Sequence, residues 1–278
     1  MANAVGFSEE AILAIAEIFE SLNLKFLIVG ATARDLIANK YNIPISRRRT
    51  RDVDFGVLIE TWDDIEKIKK AFEQHKEIEK RKSEEREMVR FYYNGTPFDI
   101  VPFGGIEKNH QIKWPPFYDT VMTVLGYSES LETADTMIIK NKAVAVVVPE
   151  LLIGLKFISW NENRSRQKDL NDIFYIMENY EKINPDSYPL ILDQHTELLE
   201  KVNLDANLTE VLYLGILLKK LCKPETLKTI IDILKLPINI DDIMVALRTN
   251  PLIDPDEIPQ IEKHRRDKLN ALLLALES

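Results

Sequence analysis

Two acidic residues, Asp52 and Asp54, stand two positions apart in a segment that alternates like a β-strand. Successive side chains of a strand point to opposite faces, so both carboxylates emerge on one face while Val53 and Phe55 point to the other. Like charges this close repel each other unless a cation lies between them, and hard carboxylate oxygens suit magnesium. The spacing therefore indicates a divalent metal site, although a solvated strand face gives the same pattern.

A third acidic residue, Asp99, lies in the sequence FDIVPF. The Asn94-Gly95 pair before it is typical of a tight hairpin turn, which places Asp99 on the second strand of a hairpin, over 97–103. Its side chain is expected to point away from the apolar face of its neighbours. Asp99 is therefore a candidate to complete a three-carboxylate metal site with the first pair, the alternative being an incidental surface residue.

A strand-to-helix turn precedes the acidic strand. The apolar run KFLIVG at 25–30 predicts a short buried strand that ends at Gly30, and a helix is expected over 32–39. Backbone amides at a helix N-terminus bind phosphate, and Thr32 adds a hydroxyl at this point. Gly30, Ala31 and Thr32 are therefore candidate nucleotide contacts.

Arginines flank these elements in an otherwise acidic chain. The chain has 36 Lys and Arg against 45 Asp and Glu, a formal net charge of −9. This charge opposes non-specific nucleic-acid binding, so an anionic substrate must be bound by a local group of basic residues. Four arginines fall within 47–51, of which Arg49 and Arg51 are candidate phosphate contacts, with a solvated loop or a partner contact as the alternative. Arg34 is a candidate nucleotide contact or one half of a helix-surface ion pair with Asp35.

Periodicity predicts the elements that carry these residues. Ser8 is expected to cap a first helix, and Thr61 with Asp64 forms a capping box before a third. Strands are predicted over 25–30, 51–59, 88–93, 97–103, 136–139 and 143–148, and helices over 9–21, 32–39 and 62–75. Further helices are predicted over 150–161, 168–180, 187–202, 206–221, 224–235, 239–247 and 258–276. This change from mixed elements to helices alone predicts an α+β domain over 1–149 followed by an α-helical domain over 150–278.

The order of a Gly turn, a DxD strand and a later Asp resembles the nucleotidyltransferase superfamily typified by DNA polymerase beta. Between Phe26 and about Tyr180 the chain is more narrowly similar to bacterial AbiEii/AbiGii-type nucleotidyltransferases, which are toxin components of toxin–antitoxin pairs. The motifs that carry this similarity are GATARDL, TRDVDF, DIVPFGGIE, IKWPP, VLGYSE and LKFISW followed by RSRQKDLNDI. The resemblance implies a nucleotidyltransferase-type mixed sheet with flanking helices in the first domain.

The same resemblance implies roles for a lysine and an aspartate after the metal triad. Lys156 in LKFISW and Asp169 in KDLND occupy the matching motifs. Lys156 is the one cation in the apolar run 151–160, so it must reach solvent, a partner or a phosphate. The alternatives are that Lys156 snorkels to the surface, and that Asp169 and Asp172 lie on an exposed first turn of a helix.

The expected activity is transfer of a nucleoside monophosphate from an NTP to an acceptor hydroxyl, with release of pyrophosphate. Asp52 and Asp54 are expected to hold Mg²⁺ or Mn²⁺ on the triphosphate, and Asp99 to complete the site beside the attacking hydroxyl. Lys156 is expected to neutralise the triphosphate, and Asp169 to orient that lysine or the acceptor. The resemblance implies an RNA acceptor, such as the 3′ end of tRNA, and a cognate antitoxin protein.

Two other functions stay open. An acidic surface suits a small cationic acceptor, such as an aminoglycoside. A catalytically lapsed protein that binds nucleotide or a partner is the second, because Ala31 stands where the superfamily has a second Gly or a Ser. The lone Cys222, the absence of an export signal and the shortness of every apolar run predict a cytoplasmic protein that does not associate with membranes.

Overall fold

A computed structural model of the protein describes residues 8–45, 52–80, 90–115, 120–248, 254 and 256–278. The chain divides into two compact units, Met1–Val148 and Pro149–Ser278. The first unit mixes strands with helices, whereas the described part of the second contains helices alone. The α+β class predicted from the sequence, with a helical C-terminal region, is therefore confirmed.

The first unit is built on a seven-stranded mixed sheet with the strand order β3-β4-β5-β2-β1-β9-β8. The strands are β1 (Phe26–Val29), β2 (Val53–Ile59), β3 (Ile78–Glu79), β4 (Arg90–Tyr93), β5 (Thr96–Gly104), β6 (Gln111–Lys113), β7 (Val121–Thr123), β8 (Asp135–Ile139) and β9 (Lys142–Val146). Strands β6 and β7 form a separate hairpin. The helices are α1 (Glu9–Ser21), α2 (Gly30–Lys40), α3 (Trp62–Glu73) and α4 (Tyr127–Glu132). At the centre, β2 runs parallel to β5 and antiparallel to β1.

Local signals fix several of these elements where the sequence predicts them. The Ser8 side chain accepts a hydrogen bond from a first-turn amide of α1 and caps that helix. At α3, the Asp64 carboxylate accepts a hydrogen bond of 3.1 Å from the Thr61 amide, as in a capping box. Asn94 and Gly95 join β4 to β5 with φ angles of 47° and 78°, the left-handed backbone that a tight hairpin turn requires.

A cluster of phenylalanines forms the core beneath the central strands. Phe55 on β2 and Phe98 on β5 are fully buried and meet edge to face, with ring centroids 6.3 Å apart. Phe72 of α3 contacts Phe98 in the same way at 5.4 Å. Each buried ring contributes about 1.5–3 kcal/mol relative to an exposed one. Successive residues of a strand point to opposite faces of the sheet. Since Phe55 and Phe98 point into the core, the residues on either side of each of them point to the other face.

The second unit consists of helices. They are α5 (Pro149–Glu162), α6 (Gln167–Glu178), α7 (Tyr180–Ile183), α8 (Ser187–Gln194), α9 (Thr196–Lys201), α10 (Ala206–Leu221), α11 (Pro224–Lys235), α12 (Pro237–Arg248) and α13 (Ile258–Glu277). Helices α10 and α13 approach closely at Gly215, where a Cβ atom would lie 2.6 Å from the Cβ of Ala275. None of the helices in the described ranges combines the length and the apolar character needed to cross a membrane.

The sequence prediction differs from the structure in two respects. The single helix predicted over 187–202 is wrong, because the backbone at His195 leaves helical geometry (φ −141°, ψ 42°) and separates α8 from α9. The short elements β3, β6, β7, α4 and α7 are not predicted. Segments of two to six residues are too short to display a hydrophobic period.

Candidate active site

Asp54 and Asp99 lie side by side on the two central parallel strands. The register of β2 and β5 pairs Asp54 directly with Asp99. Their neighbours Val53, Phe55 and Phe98 are buried, whereas both aspartates are partly exposed, so the two carboxylates share one face of the sheet. Asp52 stands one residue before β2 with 36% of its side chain exposed. We call Asp52, Asp54 and Asp99 the acid cluster.

Gly30 provides the space that the Asp54 carboxylate occupies. This glycine starts α2 directly after β1 and has a φ angle of +69°. A Cβ atom at this position would lie 1.9 Å from Oδ2 of Asp54. Both the backbone conformation and the lack of space therefore require glycine. The position also brings the carboxylate to the N-terminus of α2, where the helix dipole favours negative charge.

Thr32 ties α2 to the start of the acidic strand. Its side chain is fully buried, and its hydroxyl donates a hydrogen bond of 2.8 Å to the carbonyl oxygen of Asp52. The hydroxyl thus holds the backbone of the acid cluster, a contact different from the phosphate contact predicted from the sequence. Gly30 and Ala31, in contrast, are partly exposed and stay accessible at the turn.

Arg34 forms a buried ion pair. Only 7% of the residue is exposed, and its guanidinium donates to Oδ1 of Asp35 from Nε at 2.9 Å and from Nη2 at 2.5 Å. The ion pair of Arg34 with Asp35 is therefore present, although it is buried and does not lie on the helix surface. A nucleotide contact of Arg34 stays a prediction. Arg49 and Arg51, with Arg47 and Arg48, fall outside the described residues, so their phosphate contacts stay predictions.

Arg90 is a member of the site that the sequence analysis missed. Strand β4 pairs Arg90 with Asp99, and the guanidinium binds that carboxylate with two hydrogen bonds, Nε to Oδ1 at 2.8 Å and Nη2 to Oδ2 at 2.6 Å. Nη2 also lies 3.8 Å from Oδ2 of Asp52. A signal for this residue exists in the sequence, because the register counted back from the Asn94-Gly95 turn places position 90 opposite position 99.

The donor atoms of the acid cluster suit a hard divalent cation. Carboxylate oxygens are the ligands that Mg²⁺ prefers in proteins, and Asp52 and Asp54 offer them at a partly exposed position. Over the ranges that the structure describes, no three His, Cys, Asp or Glu side chains are grouped closely enough to hold a metal ion. Asp52 and Asp54 thus fit a metal chemically, while both oxygens of Asp99 accept hydrogen bonds from Arg90.

A second charged cluster lies within the helical unit. Nζ of Lys156 on α5 is 2.7 Å from Oδ1 of Asp169 and 2.7 Å from Oδ2 of Asp172, both on α6. Arg166 adds a contact of 2.5 Å from Nε to Oδ2 of Asp169. Lys156, Asp169 and Asp172, which we call the lysine cluster, are buried. The snorkelling lysine and the exposed first turn, considered as alternatives, are therefore wrong.

Nearby opposite charges keep Lys156 and Asp169 ionised. Burial disfavours the charged form of Lys156, but the negative charges of Asp172 and Asp169 outweigh it, and the pKa of Lys156 is raised. Burial also acts against the charged form of Asp169, yet Lys156 and Arg166 hold its pKa below the ordinary value. Both groups are therefore charged at neutral pH.

The mixed sheet carries acidic residues on adjacent central strands, and a strand, a Gly turn and a helix come before the first of them, which is the arrangement that the resemblance to nucleotidyltransferases implies. The family described as nucleotidyl transferase AbiEii toxin, type IV toxin–antitoxin system, matches residues 12–267. The chain therefore belongs to the AbiEii nucleotidyltransferase family, and the resemblance read from its motifs is confirmed.

A solved structure is distantly similar to the chain. No curated protein matches it. Among solved structures, an antigenic nucleotidyltransferase-like protein from Paracoccidioides brasiliensis is similar, with a TM-score of 0.40 and 19% sequence identity over 69% of this chain and 90% of that one. The assignment as a nucleotidyltransferase of a toxin–antitoxin system therefore rests on the family match.

Proposed function

We propose that the protein transfers a nucleoside monophosphate from an NTP to an acceptor hydroxyl, with release of pyrophosphate, and that the reaction requires Mg²⁺ or Mn²⁺. The observation that carries this proposal is the pairing of Asp54 with Asp99 on one sheet face, with Asp54 packed against the Gly30 turn. Two carboxylates at adjacent strand positions beside a helix N-terminus suit a metal and a phosphate together.

In this proposal the residues of the first unit divide the work by position. Asp52 and Asp54 hold the divalent ion, and Asp99 faces the acceptor hydroxyl. Gly30 and Ala31 offer backbone amides to phosphate at the start of α2. Thr32 fixes the backbone of Asp52 through its hydroxyl. The ion, when bound, offsets the charge of the triphosphate and of the leaving pyrophosphate.

Arg49 and Arg51 are assigned to the triphosphate by charge and by their place directly before the acidic strand. Lys156 and Asp169 occupy the lysine and aspartate positions that the family resemblance marks, and we propose that activity needs both. Because they form a buried ion pair, the loss of either also weakens the helical unit.

The proposed acceptor is RNA, with the 3′ end of tRNA as the first candidate, and a cognate antitoxin is the proposed protein partner. The motif resemblance to AbiEii-type enzymes suggests the RNA acceptor, and membership of a toxin–antitoxin family supports the antitoxin partner. We place the reaction in the cytoplasm, where NTPs and RNA are present. The net charge of −9 favours a second candidate, transfer to a small cationic acceptor such as an aminoglycoside.

Incubation of the full chain with each of the four α-labelled NTPs and Mg²⁺ tests this proposal. One arm contains total RNA, a second contains an aminoglycoside, and a third contains RNA with EDTA. The proposal predicts label in RNA and release of pyrophosphate, both abolished by EDTA. Label in the aminoglycoside favours the second candidate, whereas NTP binding without pyrophosphate release in any arm indicates a catalytically lapsed protein.

A further inference from the structure

Arg90 brings a positive charge into the acid cluster. Its guanidinium binds both oxygens of Asp99, at 2.8 and 2.6 Å, and its Nη2 atom lies 3.8 Å from Oδ2 of Asp52. A bidentate pair of this kind fixes both the position and the plane of the carboxylate. The hairpin register that sets Arg90 opposite Asp99 makes the contact a property of the fold.

This contact favours the orientation of Asp99 but disfavours the binding of a metal ion by the acid cluster. It orients Asp99, because the two hydrogen bonds permit a single arrangement of the carboxylate. It also disfavours a second cation nearby, because a metal ion at Asp52 would experience the repulsion of the guanidinium over only a few ångströms. Both oxygens of Asp99 already accept hydrogen bonds, which leaves fewer lone pairs for a metal.

We infer that Arg90 is a positioning residue that fixes Asp99 and, at the same time, lowers the affinity of the site for a free divalent ion; this inference rests on the proposed function. The negative charge of a triphosphate compensates for the guanidinium. Metal binding therefore depends on the nucleotide, and the affinity of the site for the divalent ion is low when no NTP is present.

Calorimetric titration of Mn²⁺ into the nucleotide-free full chain tests the inference. Arg90→Gln removes both the positive charge and the pair of hydrogen bonds to Asp99, so this variant is expected to bind Mn²⁺ at least about fivefold more tightly than the wild type. Arg90→Lys keeps the positive charge but loses the pair of hydrogen bonds to Asp99, so its Mn²⁺ affinity is expected to stay near that of the wild type. With labelled NTP at saturating Mn²⁺, both variants are expected to transfer about tenfold more slowly, because Asp99 is no longer aligned.

A matched control removes a different cation from the same unit. Lys142, with 21% of its side chain exposed, pairs with Glu20 at 2.7 Å, and Lys142→Gln is expected to leave both Mn²⁺ affinity and transfer unchanged. Thermal melting of every variant verifies folding. Mn²⁺ affinity that is unchanged or weaker in Arg90→Gln, with a wild type that binds the ion, overturns the inference alone. A wild type that binds no Mn²⁺ with or without NTP overturns the proposed function, and the inference with it.

Discussion

Arg90 contacts two carboxylates of the acid cluster, as Lys156 contacts the two carboxylates of the lysine cluster, but the two groups of residues differ in exposure. Arg90 and its partners Asp99 and Asp52 have side chains that are 31%, 19% and 36% exposed. The side chains of Lys156, Asp169 and Asp172 are 7%, 0% and 4% exposed. A partly exposed ion pair contributes about 0–1 kcal/mol to stability, whereas breaking a buried pair costs about 3–5 kcal/mol.

The difference in exposure therefore separates residues needed for catalysis from residues needed for stability. The acid cluster is open to a ligand and contributes little to folding, so its residues can be changed with an effect mainly on chemistry. The lysine cluster is closed, so its residues hold α5 and α6 together whatever else they do. Substitutions in the two clusters should accordingly give different ratios of lost activity to lost stability.

Gly30→Ala should produce the largest combined effect. The added methyl group meets Oδ2 of Asp54, and the φ angle of +69° is strained for alanine. We expect transfer to fall by at least about a hundredfold as Asp54 is displaced, and the free energy of unfolding to fall by about 2 kcal/mol or more. Labelled-NTP transfer and urea denaturation measure the two.

Gly95→Ala is the matched control for Gly30→Ala. Gly95 has a φ angle of +78°, but a Cβ atom there would meet no heavy atom within 4 Å. We expect it to lose about 1–2 kcal/mol from backbone strain while it retains transfer activity. Equal losses of activity in the two variants would contradict the proposal that Gly30 provides the space for the Asp54 carboxylate.

Lys156→Met tests the lysine cluster. The substitution leaves two buried carboxylates without their lysine, so we expect the free energy of unfolding to fall by about 3–5 kcal/mol in urea denaturation. Lys228→Gln is the control, because Lys228 pairs with Asp232 at 2.8 Å on an exposed helix surface. Its expected effect is below about 0.5 kcal/mol, and an equal effect of both substitutions would contradict the account.

The lysine cluster also predicts a dependence of stability on pH. The pKa of Asp169 is lowered from 3.8 by folding, so its ionised form stabilises the protein above that pH, and the contribution is lost as the pH falls through the lowered pKa. The pKa of Lys156 is raised from 10.5, so its contribution is present below that pH and is lost only at more alkaline pH. Asp169→Asn should therefore flatten the acid limb of the curve of stability against pH, and an unaltered acid limb would count against this pairing.

Thr32→Val should give the smallest of these effects. It removes the hydroxyl that donates to the carbonyl of Asp52, and this partly buried hydrogen bond is lost at a cost of about 0.5–1.5 kcal/mol. Thr209→Val is the control, because Thr209 is equally buried and donates to the carbonyl of Asp205 at 2.8 Å. The carbonyl of Asp205 also accepts a hydrogen bond of 3.0 Å from the Thr209 amide, so we expect a smaller loss of stability for Thr209→Val. We expect reduced transfer for Thr32→Val alone, as measured by melting and labelled-NTP incorporation.

Local signals in the sequence predicted much of the site. The alternation around Asp52 and Asp54, the Asn94-Gly95 turn and the glycine that follows β1 are signals that span only a few residues, so they can be recognised without tertiary structure. The in-register pairing of Asp54 with Asp99 is a contact between distant segments, and nothing local specifies the register of two parallel strands.

Two features of the sites escaped prediction for different reasons. The burial of Lys156, Asp169 and Asp172 runs against the usual exposure of charged residues, so their helical spacing alone does not distinguish an exposed helix surface from a buried ion pair. Arg90 is not predicted, because residue type and spacing indicate metal ligands, whereas the counter-ion of a strand carboxylate is set by the residue that pairs with it across the hairpin.

Asp54→Asn tests the central claim most directly, because it removes one charge from the acid cluster with almost no change in shape. Asp135→Asn is the control, since Asp135 is a partly exposed partner of Lys40 in the same unit. The measurement is transfer of labelled nucleotide at saturating Mg²⁺, with folding monitored by melting. The account predicts a loss of about a thousandfold for Asp54→Asn with an unchanged melting temperature, and full activity for Asp135→Asn. Transfer by Asp54→Asn at the rate of the wild type would contradict it.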